Sequence, residues 1–346
     1  MGLGLGGGFV FFALDLPLAW MLGAMSFVTV AAIAGATVEV PHKLRGIMVA
    51  MLGALLGGAF TPEVLAQAGG WFDAMAVMAV FVVTVTVVVA FWMRKVGKLD
   101  RITAYCSATP GGLAIMAILG DQAGGDGRTI PLIHSTRILI VVFTVPLYLH
   151  FVLGFDVPST AGFDDGHAHA TAWELAILFA CAGIGYGISR VTGSSNIQLL
   201  LPMLLSAGVH IAGIVEGRAP LALVALAQVV MGTSIGCRFV GMTVRQLARP
   251  VLLAVGSSAF MLTLAALVST WLAVPLEVQQ AAMMLALAPG GLAEMALVAL
   301  AINVDTAFVS TMQIGRIMLV VVATPLVLRW SGLLGDKPPS GRTEQP

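Results

Sequence analysis

Two short stretches interrupt long apolar runs in this chain: Ala108-Thr109-Pro110-Gly111-Gly112-Leu113 and Ala288-Pro289-Gly290-Gly291-Leu292. Proline lacks a backbone donor, and adjacent glycines remove the side chains that keep a helix regular. In water such a triplet is an ordinary turn. Inside an apolar run it frees polar backbone groups where no solvent can meet them. The fold must therefore surround both breaks with protein or with an aqueous cavity.

Composition says which runs these are. Of 346 residues, 59% are hydrophobic and 10% charged, against about 25% charged in a soluble domain. Apolar segments near spanning length follow one another at 1–14, 16–36, 44–60, 71–93, 102–119, 130–155, 173–190, 196–215, 220–239, 251–274, 278–301 and 307–330. The expected fold is an all-α polytopic membrane protein, crossing a bacterial-type inner (plasma) membrane. Residues 1–14 are short for a span, so that segment either crosses incompletely or belongs to a chain that starts further upstream. The first 35 residues lack the basic start expected of a cleavable signal peptide.

The halves repeat. Phe60 falls on Phe239, Trp92 on Trp271, Asp126 on Asp305, Arg137 on Arg316 and Pro146 on Pro325, each pair 179 residues apart. Both copies close on Arg-Ile-x2-Val-Val-x3-Pro-Leu, and Gly53-x3-Gly57 matches Gly232-x3-Gly236 at the same offset. Apolar sequences share residue types easily, but not proline, glycine, arginine and aspartate in one register. The expected organisation is a first membrane repeat over 1–155, a polar linker over 156–172, a second repeat over 173–333 and a disordered tail over 334–346.

Loop charges suggest that the second copy is inverted. Arg94, Lys95, Lys98 and Arg101 follow the fourth segment, whereas Arg238, Arg245 and Arg249 precede its equivalent. If basic loops lie inside, equivalent loops lie on opposite faces. Six full crossings per half would make the copies parallel, so inversion needs one segment that does not cross once. The Pro-Gly-Gly segment is the candidate, as a re-entrant hairpin. The reading is thus two inverted repeats of about five spans, each with a broken or re-entrant Pro-Gly-Gly helix.

Buried polar groups near the breaks are the candidate site: Pro110, Gly111, Gly112, Pro289, Gly290 and Gly291 by their freed backbone, with His134, Arg137, Glu294, Gln313 and Arg316 by side chain. Arg137 and Arg316 read either as anion anchors or as clamps on break carbonyls, with snorkelling as the bland alternative. Glu294 stands where the first copy has Ile115, so it could bind a proton or cation, pair with an arginine, or cap its half-helix. Asp126 and Asp305 read as helix caps. His210 and Gln228 read as satisfied packing residues.

Other chemistry finds little support. Cys106, Cys181 and Cys237 show no disulfide, redox or zinc spacing. The Asp164-Asp165-Gly166-His167-Ala168-His169 stretch is a weak metal motif. Without a Gly-x4-Gly-Lys-Ser/Thr loop, a self-contained ATP-driven pump is disfavoured, and zero net charge offers nothing to nucleic acid. We expect no cofactor and no enzyme activity. The expected partners are the bilayer, a small-molecule or ion substrate and, if the Gly-x3-Gly faces are not internal, a second copy.

Pro110-Gly111-Gly112-Leu113 with Met116, Pro289-Gly290-Gly291-Leu292-Ala293-Glu294-Met295, the following aspartates and the Arg-Ile endings together resemble the AbrB-type duplicated membrane protein family, over about residues 5–333. In that family the first copy usually has an acidic or small polar residue where Ile115 stands. Its members carry labels ranging from transporter to ammonia monooxygenase and transcriptional regulator. A monooxygenase needs clustered histidine and carboxylate ligands, and a DNA-binding regulator needs a basic soluble surface. The resemblance also implies kinship with the cation–proton antiporter and anion transporter group, whose inverted repeats meet at broken helices. It favours a secondary transporter with alternating access at the two breaks.

Overall fold

The computed structural model describes residues 1–155, 170–193, 197–215, 217, 220–242 and 244–330. The Asp164–His169 stretch and the tail from 334 lie outside them. Every regular element among the described residues is helical. In the first half these are α1 (Gly2–Ala13), α2 (Ala19–Ile33), α3 (His42–Gly57), the short α4 (Pro62–Gln67), α5 (Trp71–Lys95), α6 (Arg101–Ala108), α7 (Leu113–Gln122) and α8 (Thr129–Phe151). The second half has α9 (Ala172–Thr192), α10 (Ile197–Ile211), α11 (Leu221–Gly236), α12 (Val244–Leu272), α13 (Gln280–Leu287), α14 (Leu292–Ala301) and α15 (Thr306–Trp330).

Six of these helices are long and apolar enough to cross a membrane. Their surfaces agree with that solvent. Val80, Val83, Val87 and Phe91 of α5 point outward, and Phe72, Trp173 and Trp271 are exposed at helix ends, where amphipathic rings meet the headgroup level. This is a multi-pass helical membrane protein.

The two Pro-Gly-Gly segments, each equal to one span in apolar length, are not single helices. In the first, the Asp126 N–H donates to the Thr103 hydroxyl at 2.7 Å, and Gly120 lies beside Cys106. The end of α7 has therefore returned to the start of α6, and the segment is a helical hairpin with its break at the tip. Helices α13 and α14 likewise pack on one another.

Orientation follows from contacts. Trp92 of α5 lies against Gly256 of α12, and Leu253 against Gly97. The Arg249 guanidinium donates to the Gly97 carbonyl. Thus α5 ends where α12, its partner at the 179-residue offset, begins, and the two are antiparallel. By contrast α15 runs parallel to α5, with Phe308 edge-on to Trp71 at 5.6 Å and Gly315 beside Met75. The basic loops after α5 and before α12 consequently share one face.

The backbone keeps the 179-residue register as well. Helices α6 and α13, and α7 and α14, have both ends at that offset. Left-handed Lys98 (φ 48°) corresponds to Glu277 (φ 53°), and Gly124 (φ 89°) to Asn303 (φ 54°).

Packing divides the molecule into two bundles, α1–α3 with α9–α11 and α5–α8 with α12–α15. The Gly-x3-Gly pairs build the first bundle internally. A Cβ on Gly53 or Gly57 would come within 2.3 or 2.5 Å of the Leu199 or Met203 carbonyl of α10, and one on Gly232 within 2.3 Å of the Met21 carbonyl of α2. Backbone cannot yield as a side chain can. Gly57→Val should therefore destabilise the fold by about 3 kcal/mol or more, at the upper end of overpacking costs, read as a lowered midpoint of thermal unfolding in lipid nanodiscs. The isolated-polar expectation holds at His210, whose ring bonds the Ser206 carbonyl at 2.8 Å, but fails at Gln228. That side chain is fully buried, and neither its amide oxygen nor its nitrogen has a partner.

Candidate functional site

Each break begins the same way. The N–H of Gly111 turns back to the Thr109 carbonyl, and that of Gly290 to the Ala288 carbonyl at 2.8 Å, so a three-residue turn closes around each proline. The glycines then diverge. Gly111 and Gly112 take positive φ, with Gly112 left-handed at φ 61°, ψ 49°. Gly291 is extended at φ −79°, ψ 151°.

Broken helices leave carbonyls unsatisfied, and here an arginine answers for each break. Arg137, on α8, donates through Nη1 to Ser107 at 3.2 Å and through Nη2 to Thr109 at 3.0 Å. Arg316, on α15, reaches Ala288 at 2.5 Å and Gly290 at 2.7 Å. One turn earlier, His134 Nε2 bonds the Cys106 carbonyl at 2.9 Å, and Gln313 Nε2 donates to Leu285 at 2.7 Å. Cys106 and Leu285 are again 179 residues apart. Arg137 donates to His134 Nδ1 at 2.9 Å, so the imidazole carries its proton on Nε2 and is neutral. Arg316 donates in the same way to the Gln313 side-chain oxygen. Of the roles open to these arginines, the geometry fits the clamp.

Glu294 is 6% exposed and folds back on its own half-helix. A Cβ on Gly291 would lie 1.9 Å from its Oε2, but no hydrogen bond caps the helix end. The aspartates do cap. Asp126 accepts from the N–H groups of Arg128 and Thr129 and from the Thr129 hydroxyl at 2.6 Å, and Asp305 accepts from the Phe308 N–H. The Thr129 hydroxyl bond holds the Asp126 carboxyl, in the loop outside the spans, below the usual carboxylate range.

Both breaks open on one cavity of about 1210 Å³, lined by Gly111, Gly112, Ile115, His134, Arg137, Pro289, Gly290, Gly291 and Glu294. Pro110, Gln313 and Arg316 are absent from that wall, although the Arg316 Nε lies 3.9 Å from a Cβ built on Gly111. The first bundle supplies the facing wall through Arg45 and Val49 of α3, Leu199 and Leu200 of α10, Met231 of α11 and Arg238. Asp126, Gly127, Arg128, Gly241 and Met242 also line it, which sets its mouth at the basic face. Arg45 and Arg238 were not among the residues that the sequence singled out for the site. Arg45 Nε and Arg238 Nη1 are buried without a hydrogen-bond partner. Glu294, Arg45 and Arg238 all line this cavity. Among the described residues no group of three or more His, Cys, Asp or Glu side chains converges as a metal site.

Paired hairpin breaks, each clamped by a buried arginine and facing one cavity between two helical bundles, define the class of membrane protein to which this chain conforms. The sequence model of the family described as "Transition state regulatory protein AbrB" matches residues 20–332, and the chain belongs to that family. It is similar to "Uncharacterized protein YhjN" of Bacillus subtilis (strain 168), 26% identical, with 92% of this chain and 88% of that protein covered. It is also similar to "Putative regulator AbrB" of Escherichia coli (strain K12), 23% identical, with 94% of each covered. No solved structure matches.

Proposed function

We propose that the protein is a secondary transporter of a small solute in the bacterial inner (plasma) membrane, working by alternating access, with no enzymatic step and no cofactor. The observation that carries this reading is the position of the cavity: both breaks line it, and its two walls belong to different bundles. A displacement of one bundle against the other would carry the breaks from one face towards the other without unfolding either. The antiparallel α5 and α12, together with the 179-residue register, support an inverted internal duplication, in which each copy supplies one face with the same hairpin. Basic loops gather at the cavity mouth, so the state described opens to the cytoplasm. Glu294 would carry a proton or meet the solute, and the clamped breaks would present it with rigid backbone.

Alternating access is testable before any solute is known. Val321 lines the cavity. In a background with Cys106, Cys181 and Cys237 replaced by alanine, Val321→Cys in liposomes should react with a membrane-impermeant thiol reagent from either face. Labelling from the basic face alone would remove the transport reading. It would favour the second one, a membrane-bound regulatory protein, which rests on the name that the Escherichia coli relative carries.

A further inference from the structure

We propose that the cavity takes an amphipathic organic anion, a monocarboxylate with an apolar body, and that Arg45 and Arg238 bind its head while Arg137 and Arg316 do not. The inference rests on reading this cavity as the solute site. A carboxylate is best held by a guanidinium that offers a free fork of N–H groups. On Arg137 and Arg316 both Nη nitrogens are committed to break carbonyls or to His134 and Gln313, so neither has a fork to offer. Their Nε atoms are buried without partners, but a lone Nε–H behind closed Nη groups cannot chelate two oxygens.

Arg238 and Arg45 differ in their Nη groups, none of which is committed to a break carbonyl. Arg238 Nη1 and Arg45 Nε are buried and unpartnered. The two residues form the wall shared with a smaller outer recess of about 530 Å³, which also contains Glu39. Two like charges on one wall repel, and an anion between them would relieve both the repulsion and the unmade hydrogen bonds. The charge balance points the same way. Arg45, Arg128, Arg137 and Arg238 line the cavity against only Asp126 and Glu294. Asp126 is occupied at the mouth as a helix cap. Val49, Ile138, Leu199, Met231, Ile317 and Met318 give the wall an apolar stretch beside these charges. A charged head with an apolar body matches that division.

The test uses full-length protein in lipid nanodiscs and a series of phenylalkanoates, from phenylacetate to 5-phenylpentanoate. Each is compared with its primary amide and its amine by ligand-induced shift of thermal unfolding. The acids should bind at least about tenfold more tightly than the amides, the size expected for a charged hydrogen bond, and the amines should not bind. Arg238→Gln and Arg45→Gln should each weaken the acids about tenfold or more and leave the amides unchanged, with Arg238→Lys intermediate. Equal binding of acid and amide, preference for the amine, or acid affinity unchanged in Arg238→Lys and Arg45→Gln would overturn the proposal; those two variants suffice if Arg238→Gln does not fold. Acid binding with thiol labelling from one face alone would keep the anion and discard transport. Two-faced labelling without acid preference would do the reverse.

Discussion

Arg316→Met is expected to lower the midpoint of thermal unfolding in nanodiscs by roughly 6–12 °C, from about 3 kcal/mol lost and about 2–4 °C per kcal/mol. Methionine keeps most of the side-chain volume, so the loss reports hydrogen bonds rather than a cavity. Arg316 is 1% exposed and serves three acceptors, the carbonyls of Ala288 and Gly290 and the Gln313 oxygen. Pro289 has no N–H to offer. The Ala288 carbonyl also accepts the Gly290 N–H, whereas among the described residues the Gly290 carbonyl accepts only from Arg316. A buried acceptor left unmade costs about 1–3 kcal/mol. Relief of burying a guanidinium works against that loss, but Arg316 faces protein dipoles already oriented towards it. Arg316→Lys should fall between, because an ammonium is a point donor that cannot bridge two divergent carbonyls. A shift below 2 °C for Arg316→Met would mean that the break holds itself.

The clamp bears on what the cavity can bind. Broken helices are attractive cation sites in transporters because free carbonyls converge there. Here a fixed positive charge already occupies that place at both breaks, so they have little left to offer a metal cation. Among the wall's charges without a hydrogen-bond partner, two cations, Arg45 and Arg238, stand against one carboxylate, Glu294. The same residues that stabilise the backbone irregularity therefore set the polarity of the site.

How much of this was legible depends on whether a feature repeats. The breaks, the arginines and the His134/Gln313 pair announced themselves because each recurs 179 residues on; His134 and Gln313 serve the equivalent carbonyls of Cys106 and Leu285, and the arginines share one equivalent pair, Thr109 and Ala288. Whether residues 102–119 and 278–301 cross or return was not legible. A hairpin and a span of equal apolar length have the same hydropathy, and the contact that decides between them, Thr103 to Asp126, involves two ordinary polar residues. Arg45 and Arg238 escaped for the opposite reason. Neither recurs at the 179-residue offset, where Val224 and Ala59 stand. Arg45 sits in a basic helix start, His42-Lys43-Leu44-Arg45, and Arg238 was read as a loop charge. One signal was available: Arg238 follows Gly232-x3-Gly236 within two residues, too close to that packed helix to lie wholly in water. Gln228 gave no signal, since one amide in an apolar helix looks the same whether or not it has a partner.

Equivalent glycines should respond differently to the same change. Gly112→Ala puts a Cβ on a left-handed residue, which costs about 1–2 kcal/mol. Its nearest neighbours would be Ile115 atoms at 3.6 and 3.7 Å, ordinary contacts, so stability falls and the cavity is unchanged. Gly291→Ala carries no backbone strain, because an extended residue accepts any side chain. The new methyl instead takes the space of the Glu294 carboxylate, 1.9 Å from Oε2, and that flexible group, which already lines the cavity, is expected to move further into it. There it meets an incoming anion more closely. Acid probes should weaken about fivefold, on the order of 1 kcal/mol of Coulomb repulsion at a partly wet wall, while the unfolding midpoint stays near that of the parent. Glu294→Gln should do the opposite, tightening acid binding by a similar factor as Arg238 loses its internal competitor, and in the double variant the effect of Gly291→Ala should vanish. If Gly291→Ala binds acids like the parent and Gly112→Ala does not, Glu294 is no part of the binding wall, and the asymmetry between Ile115 and Glu294 serves the fold alone.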